Sequence, residues 1–415
     1  MRRLLVVSDL HLGDNGSLED FTCDQAFADL LNEYGPKGPT ELVLNGDIVD
    51  FLQVQPLGAL TVDAAPLKLE TIFSRHPLVM PALARFANRG NTITLIEGNH
   101  DIEFLFPKVR EKFVELYTTA GGEAARLQYS KLSRVEYPHV HIEHGHQYDE
   151  VNSFDYGNLF TQETTGTLRL PWGSRFVLRV FNNVEPRFRF IDKVRPEKAA
   201  ALLLFLLDRD LFVENAIPLL GLTVEGWLNQ IRMAFLKRPT SGWIPKGETS
   251  ELPWDVIDAL NESLNDMMIL EQTRTIDEAL ISKGAGGSAA RRIIERLNSG
   301  WKSSLSKENS YDVRAAEQIT KEGPAQFVIF GHTHHAGVKR FASGCHYINS
   351  GTWTPLLDFP YAKDTDQWLI DAMDAAKYPV TNSPTFVRVQ IVEDSCNAEL
   401  MTWNAARRCA EPAGY

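Results

Sequence analysis

The sequence predicts an α/β fold that is interrupted by a large, mainly helical insertion. Short apolar runs alternate with stretches of helical spacing over about the first 150 residues, which is typical of stacked βα units. From about Asp155 to Glu322, strand patterns become rare and prolines are frequent, and strand patterns return after residue 325. We therefore expect a core of residues 1–155 and 322–415, with residues 156–321 as an insertion or cap.

The elements of the core follow from local patterns. Apolar runs that end at polar loops predict strands at Leu4–Ser8, Glu41–Leu44, Thr92–Ile96, His139–Glu143, Gln326–Phe330, His346–Ile348 and Thr385–Val392. Helical spacing predicts helices at Cys23–Tyr34 and Leu78–Ala87, each ending at a glycine-containing turn. In the insertion, the same spacing predicts helices at Val224–Leu236, around Ile257–Met267 and at Ile276–Leu297.

Composition narrows the class of protein. The chain has 415 residues and a net charge of −12, so general binding to nucleic acid is not expected. Its four cysteines have no zinc-like spacing, which favours a reducing compartment. The first apolar run is too short for a signal peptide, and Ala199–Leu207 has about half the length of a membrane span. We expect a cytoplasmic protein, with peripheral membrane contact left open and the oligomeric state unknown.

Polar clusters follow the predicted strands directly. They are Asp9-Leu10-His11, Gly46-Asp47 with Asp50, Gly98-Asn99-His100-Asp101, His144-Gly145-His146 and Gly331-His332-Thr333-His334-His335. Loops at the carboxyl ends of strands are where α/β sheets place their sites. Carboxylate, amide and imidazole donors without thiolates suit Mn²⁺, Fe, Zn²⁺, Co²⁺ or Ni²⁺ better than Mg²⁺ or Ca²⁺. Seven such ligands exceed the needs of one tetrahedral ion and fit two ions that share a carboxylate.

The five clusters, in this order, resemble the motifs of the calcineurin-like metallophosphoesterases. The resemblance covers about residues 1–155 and 322–415 and does not extend to the insertion. It implies a four-layer αββα sandwich of two mixed β-sheets, with the site at the strand ends. It also implies two divalent transition-metal ions, of which Mn²⁺ is the first expectation and Fe, Zn, Co and Ni are alternatives.

The resemblance assigns a role to each motif residue. Asp9, His11 and His334 would hold one metal, Asn99, His144 and His332 would hold the other, and Asp47 would bridge them. His100 would assist the leaving oxygen, and Asp101 would orient His100 through a hydrogen bond. The implied reaction is hydrolysis of a P–O bond in a phosphate monoester or diester, by attack of a metal-bridging hydroxide.

Alternative functions come from the same motifs. The fourth motif, followed by a helical insertion, is most similar to the UDP-2,3-diacylglucosamine pyrophosphatase branch, which implies a lipid-linked nucleotide substrate at a membrane surface. That branch has His-Gly-Asp where this chain has His144-Gly145-His146. A metal-dependent nuclease is a second alternative, and a catalytically silent scaffold is a third.

Residues for substrate binding are predicted from charge. The segment Arg169–Lys198 contains eight basic and three acidic residues, interleaved with aromatics. It could form a rim that attracts a phosphorylated small molecule, a lipid headgroup or a nucleic acid, or its arginines could pair with the acidic core. The candidates are His146, Arg175, Arg179, Arg187 and Arg189. His146 could instead hold a loop.

Two further features have structural interpretations that we favour. Asp50 is expected to cap a helix that begins near Phe51, although it could also lie behind the metal ligands. The segment Asn349–Trp353 is expected to form a tight turn that packs the edge of a sheet, although its hydroxyl and amide groups could contact phosphate.

Overall fold

The computed structural model describes residues 2–130, 133–136, 139–162, 166–186, 194–195, 311–358, 383–393 and 395–414. By its contacts the chain divides into two units. The first contains Met1–Leu178, Ser310–Pro355 and Asn382–Tyr415, and the second contains Arg179–Asn309 and Leu356–Thr381. The three helices predicted within the insertion lie outside the described residues. The division at residues 155 and 322 therefore stays a prediction.

The first unit contains a mixed seven-stranded sheet with the order β16-β15-β14-β1-β2-β3-β4. Its strands are β1 Arg2–Val7, β2 Thr40–Asn45, β3 Thr92–Ile96, β4 Leu127–Tyr129, β14 Thr385–Val392, β15 Ser395–Asn404 and β16 Cys409–Pro412. Strands β1 to β4 are parallel, and β14 joins β1 as an antiparallel neighbour. The parallel half places the ends of β1, β2 and β3 at one edge of the sheet.

A five-stranded mixed sheet, with the order β11-β12-β10-β6-β5, forms the second sheet of this unit. Its strands are β5 Ser133–Glu136, β6 Val140–Glu143, β10 Phe327–Phe330, β11 Gly337–Arg340 and β12 His346–Asn349. Strands β6, β10 and β12 are parallel, while β5 and β11 are antiparallel edges. The two parallel central strands, β6 and β10, are thus neighbours although about 190 residues separate them in sequence.

Three apolar clusters define four layers. Leu4, Val43, Ile142 and Ile329 belong to a cluster formed by both sheets together. On the other face of the seven-stranded sheet pack helices α1 Asp24–Tyr34, α2 Ala65–Arg75, α3 Val79–Ala87 and α4 Pro107–Thr119. Helix α7, Tyr311–Glu322, packs against the five-stranded sheet through Ala316. The α/β class and the αββα arrangement of two mixed sheets are confirmed.

The helices α1 and α3 and all seven predicted strands are present, while the helices α2, α4 and α7 were not predicted. Helix α4 buries only Val109, Phe113 and Tyr117, one residue per turn, so its apolar stripe is too narrow to stand out from the sequence.

The remaining described elements are short. Three are 3₁₀ turns, at Ile102–Leu105, Ala124–Arg126 and His146–Tyr148, and three are helical turns, at α5 Trp172–Phe176, Val177–Phe181 and α6 Asn182–Val184. Two are pairs of short strands, β7 Phe160–Gln162 with β8 Thr167–Leu168 and β9 Val194–Arg195 with β13 Leu357–Asp358. Among the described residues, none of the helices has the length and apolar character needed to cross a membrane.

Candidate metal centre

The polar loops of both sheets meet at one edge of the first unit. Backbone bonds join the loops directly, since the Asp9 N–H donates to Gly46 O at 3.1 Å and the Gly331 N–H donates to His144 O at 3.0 Å. Across the sheets, Asn45 Nδ2 donates to Glu143 O at 2.9 Å. The five predicted motifs therefore lie side by side, although they come from distant parts of the chain.

The backbone at this edge is unusual. Eight non-glycine residues have a positive φ in the part of the chain that the structure describes, and five of them are predicted ligands: Asp9, His11, Asp47, His332 and His334. This left-handed conformation is costly for residues with a Cβ and is concentrated at functional sites. The motif glycines have a complementary role, because a Cβ on Gly98 would overlap the Asp47 carboxylate and a Cβ on Gly331 would overlap Ser8 and Asp9.

A first group of ligand atoms comes from Asp9, His11 and His334, and these atoms all lie within 4.8 Å of one another. His334 Nε2 is 3.2 Å from Asp9 Oδ1 and 3.1 Å from His11 Nε2. His11 Nδ1 donates to Asp50 Oδ2 at 3.1 Å, because a carboxylate can only accept. In the neutral ring the His11 Nε2 lone pair therefore faces the other two ligands, which is the arrangement a cation requires.

A second group comes from Asp47, His144 and His332, again with ligand atoms within 4.8 Å. His144 Nδ1 is 2.8 Å from Asn45 O and donates to it, so in the neutral ring Nε2 has the lone pair. This Nε2 faces the Asp47 carboxylate at 3.2 Å, and Asn99 Oδ1 is buried without a hydrogen-bond partner. Buried polar atoms without partners are costly, and both are good metal ligands. The donor set thus fits a transition-metal ion.

Asp47 lies between the two groups. Its Oδ2 is 3.2 Å from His144 Nε2 and 3.8 Å from His11 Nε2, while Oδ1 accepts the His100 N–H at 2.8 Å. Burial would raise the pKa of Asp47, but the charges of His144 and His100 hold it well below its usual range. In return, Asp47 raises the pKa of the buried His144 to about 10 in the metal-free protein, so a metal that binds there must displace a proton.

The partner of His100 differs from the sequence-based prediction. His100 Nδ1 donates to Asp50 Oδ2 at 2.7 Å. Asp101 instead accepts the backbone N–H groups of Gly98 at 2.5 Å and Ile48 at 2.7 Å. The prediction that Asp101 orients His100 is therefore wrong, because both Asp101 oxygens are engaged in joining two loops. Burial and the neighbouring Asp47 charge raise the pKa of Asp101 to about 7.

Asp50 has the orienting role that had been expected of Asp101. Its Oδ2 contacts both His11 and His100, and its Oδ1 accepts the N–H groups of Leu52 and Gln53 at 2.9 and 3.1 Å. The expected cap is thus present, but it closes a turn and not a helix. The spacing Asp47-x-x-Asp50 was the available signal, since it puts a second carboxylate in the same loop, three residues after the first.

Of the predicted substrate contacts, His146 lies beside two predicted ligands, with its ring centroid 5.4 Å from that of His144 and 6.4 Å from that of His332. His146 is 1% exposed, and its Nε2 is 3.1 Å from the Tyr156 hydroxyl. Burial, together with the charges of His144 and His332, keeps the pKa of His146 well below its usual range. Arg175 lies in α5 and Arg179 in the second unit. Arg187 and Arg189 lie outside the described residues, so the basic rim stays a prediction.

The segment after β12 is bonded to the backbone of the loops that contain Asp9 and His332. Thr352 Oγ1 donates to Asp9 O at 2.9 Å, and the Trp353 N–H donates to the same oxygen at 3.1 Å. Asn349 Nδ2 donates to Gly331 O at 2.7 Å. These side chains are buried, in agreement with the structural interpretation of this segment.

The comparisons with known proteins give one family match and several similar solved structures. Residues 2–182 match the family model of the calcineurin-like phosphoesterases, and no curated protein matches the chain. Among solved structures, Vps29 from Entamoeba histolytica is similar in two forms, the wild type complexed with Zn²⁺ and a single mutant. Each is 17% identical with a TM-score of 0.16 over 26% of this chain.

The match spans about half the length of these Vps29 chains, 46% and 49%. A dimetal phosphatase from Danio rerio is 11% identical, with a TM-score of 0.32 and coverage of 96% of this chain and 94% of that chain. The family match contains four of the five predicted motifs. By this match and by its four-layer architecture, the N-terminal part of the chain is similar to the calcineurin-like phosphoesterases.

Proposed function

We propose that the protein is a metal-dependent phosphoesterase that hydrolyses the P–O bond of a phosphate monoester or diester. One observation supports this most strongly: the Asp47 carboxylate, which belongs to one group of ligand atoms with His144 and His332, also faces His11 of the other group, and the partly exposed His100 lies beside them. Two cations on either side of one carboxylate suit the attacking and leaving oxygens of phosphoryl transfer. The family match supports the same reaction class.

In this proposal Asp9, His11 and His334 hold one divalent ion, Asn99, His144 and His332 hold the other, and Asp47 contacts both. When bound, the ions supply Lewis acidity and lower the pKa of water. The mixed nitrogen and oxygen donors favour Mn²⁺ or a neighbouring transition metal over Ca²⁺. The loops that hold these ligands are fixed by backbone bonds, so the binding geometry is set before an ion arrives.

His100 is the proton donor in this proposal. Its side chain is 18% exposed, more than that of any predicted ligand. Asp50 accepts from Nδ1, and the charge of His100 lowers the pKa of Asp50 despite its burial. The ionised Asp50 therefore stabilises an imidazolium, whose Nε2 proton can pass to the departing oxygen. Asp50 is too buried to contact substrate and acts through the two imidazoles.

We favour a phosphate ester over the lipid-linked pyrophosphate of the UDP-2,3-diacylglucosamine branch. The position at which this chain departs from that branch, His146, is packed against Phe154 and Tyr156 and has almost no exposure to a substrate. A phosphorylated small molecule as substrate and a cytoplasmic location are parts of the proposal, and a lipid-linked nucleotide is the first alternative substrate. A nuclease activity is the remaining alternative.

The test combines metal analysis with a substrate panel. The purified chain, loaded with Mn²⁺, is assayed on p-nitrophenyl phosphate, bis-p-nitrophenyl phosphate, a UDP-linked acylated sugar and single-stranded DNA. We expect two ions per chain and hydrolysis of a p-nitrophenyl ester. Asp155→Asn is the matched control, since this carboxylate is exposed and only closes a local turn. A fully loaded protein that hydrolyses no phosphate ester would contradict the proposal.

A further inference from the structure

Asp149 follows the 3₁₀ turn His146–Tyr148 and has a carboxylate that its own loop holds in place. Its Oδ1 accepts the Val151 N–H at 3.0 Å, and its Oδ2 accepts Asn152 Nδ2 at 2.7 Å. Its backbone carbonyl accepts the N–H groups of Asn152 and Ser153. The side chain is 16% exposed. This carboxylate is therefore oriented by local bonds, independently of the metal ligands.

The same carboxylate contacts one of the predicted ligands. Asp149 Oδ2 is 3.0 Å from His332 Nε2. At its other end, His332 is held by its backbone N–H, which donates to the Asp9 carboxylate at 3.1 Å. Because an ionised carboxylate only accepts hydrogen bonds, the proton of the neutral ring lies on Nε2. The lone pair of His332 is then on Nδ1.

His332 differs in this respect from His11 and His144. In His11 and His144 it is Nδ1 that donates, to Asp50 and to Asn45 O, and Nε2 is left as the ligand. In His332 the bonded nitrogen is Nε2. Which nitrogen binds a metal is set by the hydrogen bond that the other nitrogen makes. The three rings thus present different nitrogens to the same centre.

We propose that Asp149 is a positioning residue that holds His332 in the Nε2–H tautomer, so that Nδ1 is the ligand of the second ion. This inference rests on the proposed function, because it concerns a metal of that site. Asp149 lies outside all five motifs and acts only through His332. Its effect should be confined to the ion held by Asn99, His144 and His332.

The first test observes the tautomer without any metal or substrate. Protein labelled with ¹⁵N-histidine is freed of metal and examined by long-range ¹H–¹⁵N NMR above about pH 8, where an ordinary imidazole is neutral. The His332 signals are assigned by their absence in His332→Asn. We expect a protonated Nε2 in the parent, an averaged pair of tautomers in Asp149→Ala, and the parent pattern in Asp155→Asn. A protonated Nδ1 in the parent would overturn the proposal.

The second test measures metal affinity by titration calorimetry of the full chain with Mn²⁺. Removing a partner of a ligating histidine typically weakens binding by about 10–100-fold, so Asp149→Ala should weaken one of two sites by this factor and leave the other unchanged. Asp149→Asn keeps a neutral acceptor and should restore most of the affinity. Equal weakening of both sites in a variant with an unchanged melting temperature would mean that Asp149 does not act through His332.

Neither readout depends on turnover, so the two proposals can fail separately. If the expected tautomer and the loss of affinity at one site are both observed but no phosphate ester is hydrolysed, the role of Asp149 is supported and the proposed function is contradicted. If phosphate esters are hydrolysed but Asp149→Ala has the same His332 tautomer and the same metal affinity as the parent, the proposed function is supported and the role of Asp149 is contradicted.

Discussion

The seven-stranded and five-stranded sheets contribute different side chains to the same edge of the molecule. The seven-stranded sheet supplies the proposed oxygen ligands Asp9, Asp47 and Asn99 together with His11 and His100, whereas the five-stranded sheet supplies only imidazoles to the proposed centre, namely His144, His332 and His334. The group of Asp9, His11 and His334 and the group of Asp47, His144 and His332 each contain residues from both sheets. The centre is therefore a property of the packing between the sheets, and neither sheet could hold either ion alone.

Removing the Asp47 carboxylate should have the largest effect on activity and on metal content. Asp47→Ala deletes the contact to His144 at 3.2 Å and the one to His11 at 3.8 Å. Loss of both ions removes several kcal/mol of transition-state stabilisation, so we expect activity to fall by roughly 10³–10⁵-fold. Metal analysis should show less than one ion per chain, while Asp155→Ala should keep two. Two retained ions with activity within tenfold of the parent would show that another carboxylate is shared.

Removing His100 should separate catalysis from metal binding. His100 follows a strand of the seven-stranded sheet and is proposed as a proton donor, not as a metal ligand. His100→Ala should therefore keep both ions and lower kcat by about 10²–10⁴-fold. The loss should be smaller for p-nitrophenyl esters, which need less protonation of the leaving group. Comparing kcat for p-nitrophenyl and alkyl phosphates tests this, and an equal loss for both would instead indicate stabilisation of phosphate charge.

A core substitution tests whether packing between the sheets maintains the centre. Ile329 belongs to the cluster that both sheets share, and Leu83 belongs to the cluster under the outer helices. Either residue changed to alanine should lower the free energy of unfolding by about 2–5 kcal/mol. Only Ile329→Ala should also weaken Mn²⁺ binding, as measured by calorimetry at a temperature where both variants are folded. Equal Mn²⁺ affinities in the two variants would contradict the dependence on the packing between the sheets.

A smaller effect should appear in the pH dependence of stability. His76 Nδ1 contacts Asp24 at 3.0 Å and Nε2 contacts Glu19 at 3.2 Å, beside the loop that follows β1. Burial lowers the pKa of His76, but these two carboxylates outweigh it and raise the pKa to about 9. Because the pKa of His76 is higher in the folded state than in the unfolded state, its contribution to the free energy of unfolding is fully present below about pH 6.5.

This contribution should be lost as pH rises from about 6.5 to about 9, and it amounts to at most about 3 kcal/mol. Urea unfolding of the parent and of His76→Gln across this range measures it. The difference between the two proteins should shrink with increasing pH. A difference that stays constant from pH 6 to pH 9 would show that the two carboxylates do not stabilise a charged His76.

The sequence alone was sufficient for seven of the strands in the two sheets and for the polar clusters that follow five of them, whereas β4, β5, β11, β15 and β16 were not predicted. Strand periodicity and terminal polar residues are local properties, so β1, β2, β3, β6, β10, β12 and β14 could be predicted. Helices α1 and α3, which have broad buried faces, were also predictable, whereas α4 buries one residue per turn and α2 was missed too. The resemblance then placed the five clusters in one site before any geometry was known.

Only the tertiary structure decided which group each polar side chain contacts. His11 and His334 are 323 residues apart, and the partner of His100 is Asp50 and not its sequence neighbour Asp101. These choices depend on how loops with positive φ turn at the edge of the two sheets, which sequence periodicity does not encode. Asp149 could not be predicted for a related reason, since its carboxylate meets His332 only after β6 and β10, which are distant in sequence, have paired within the five-stranded sheet.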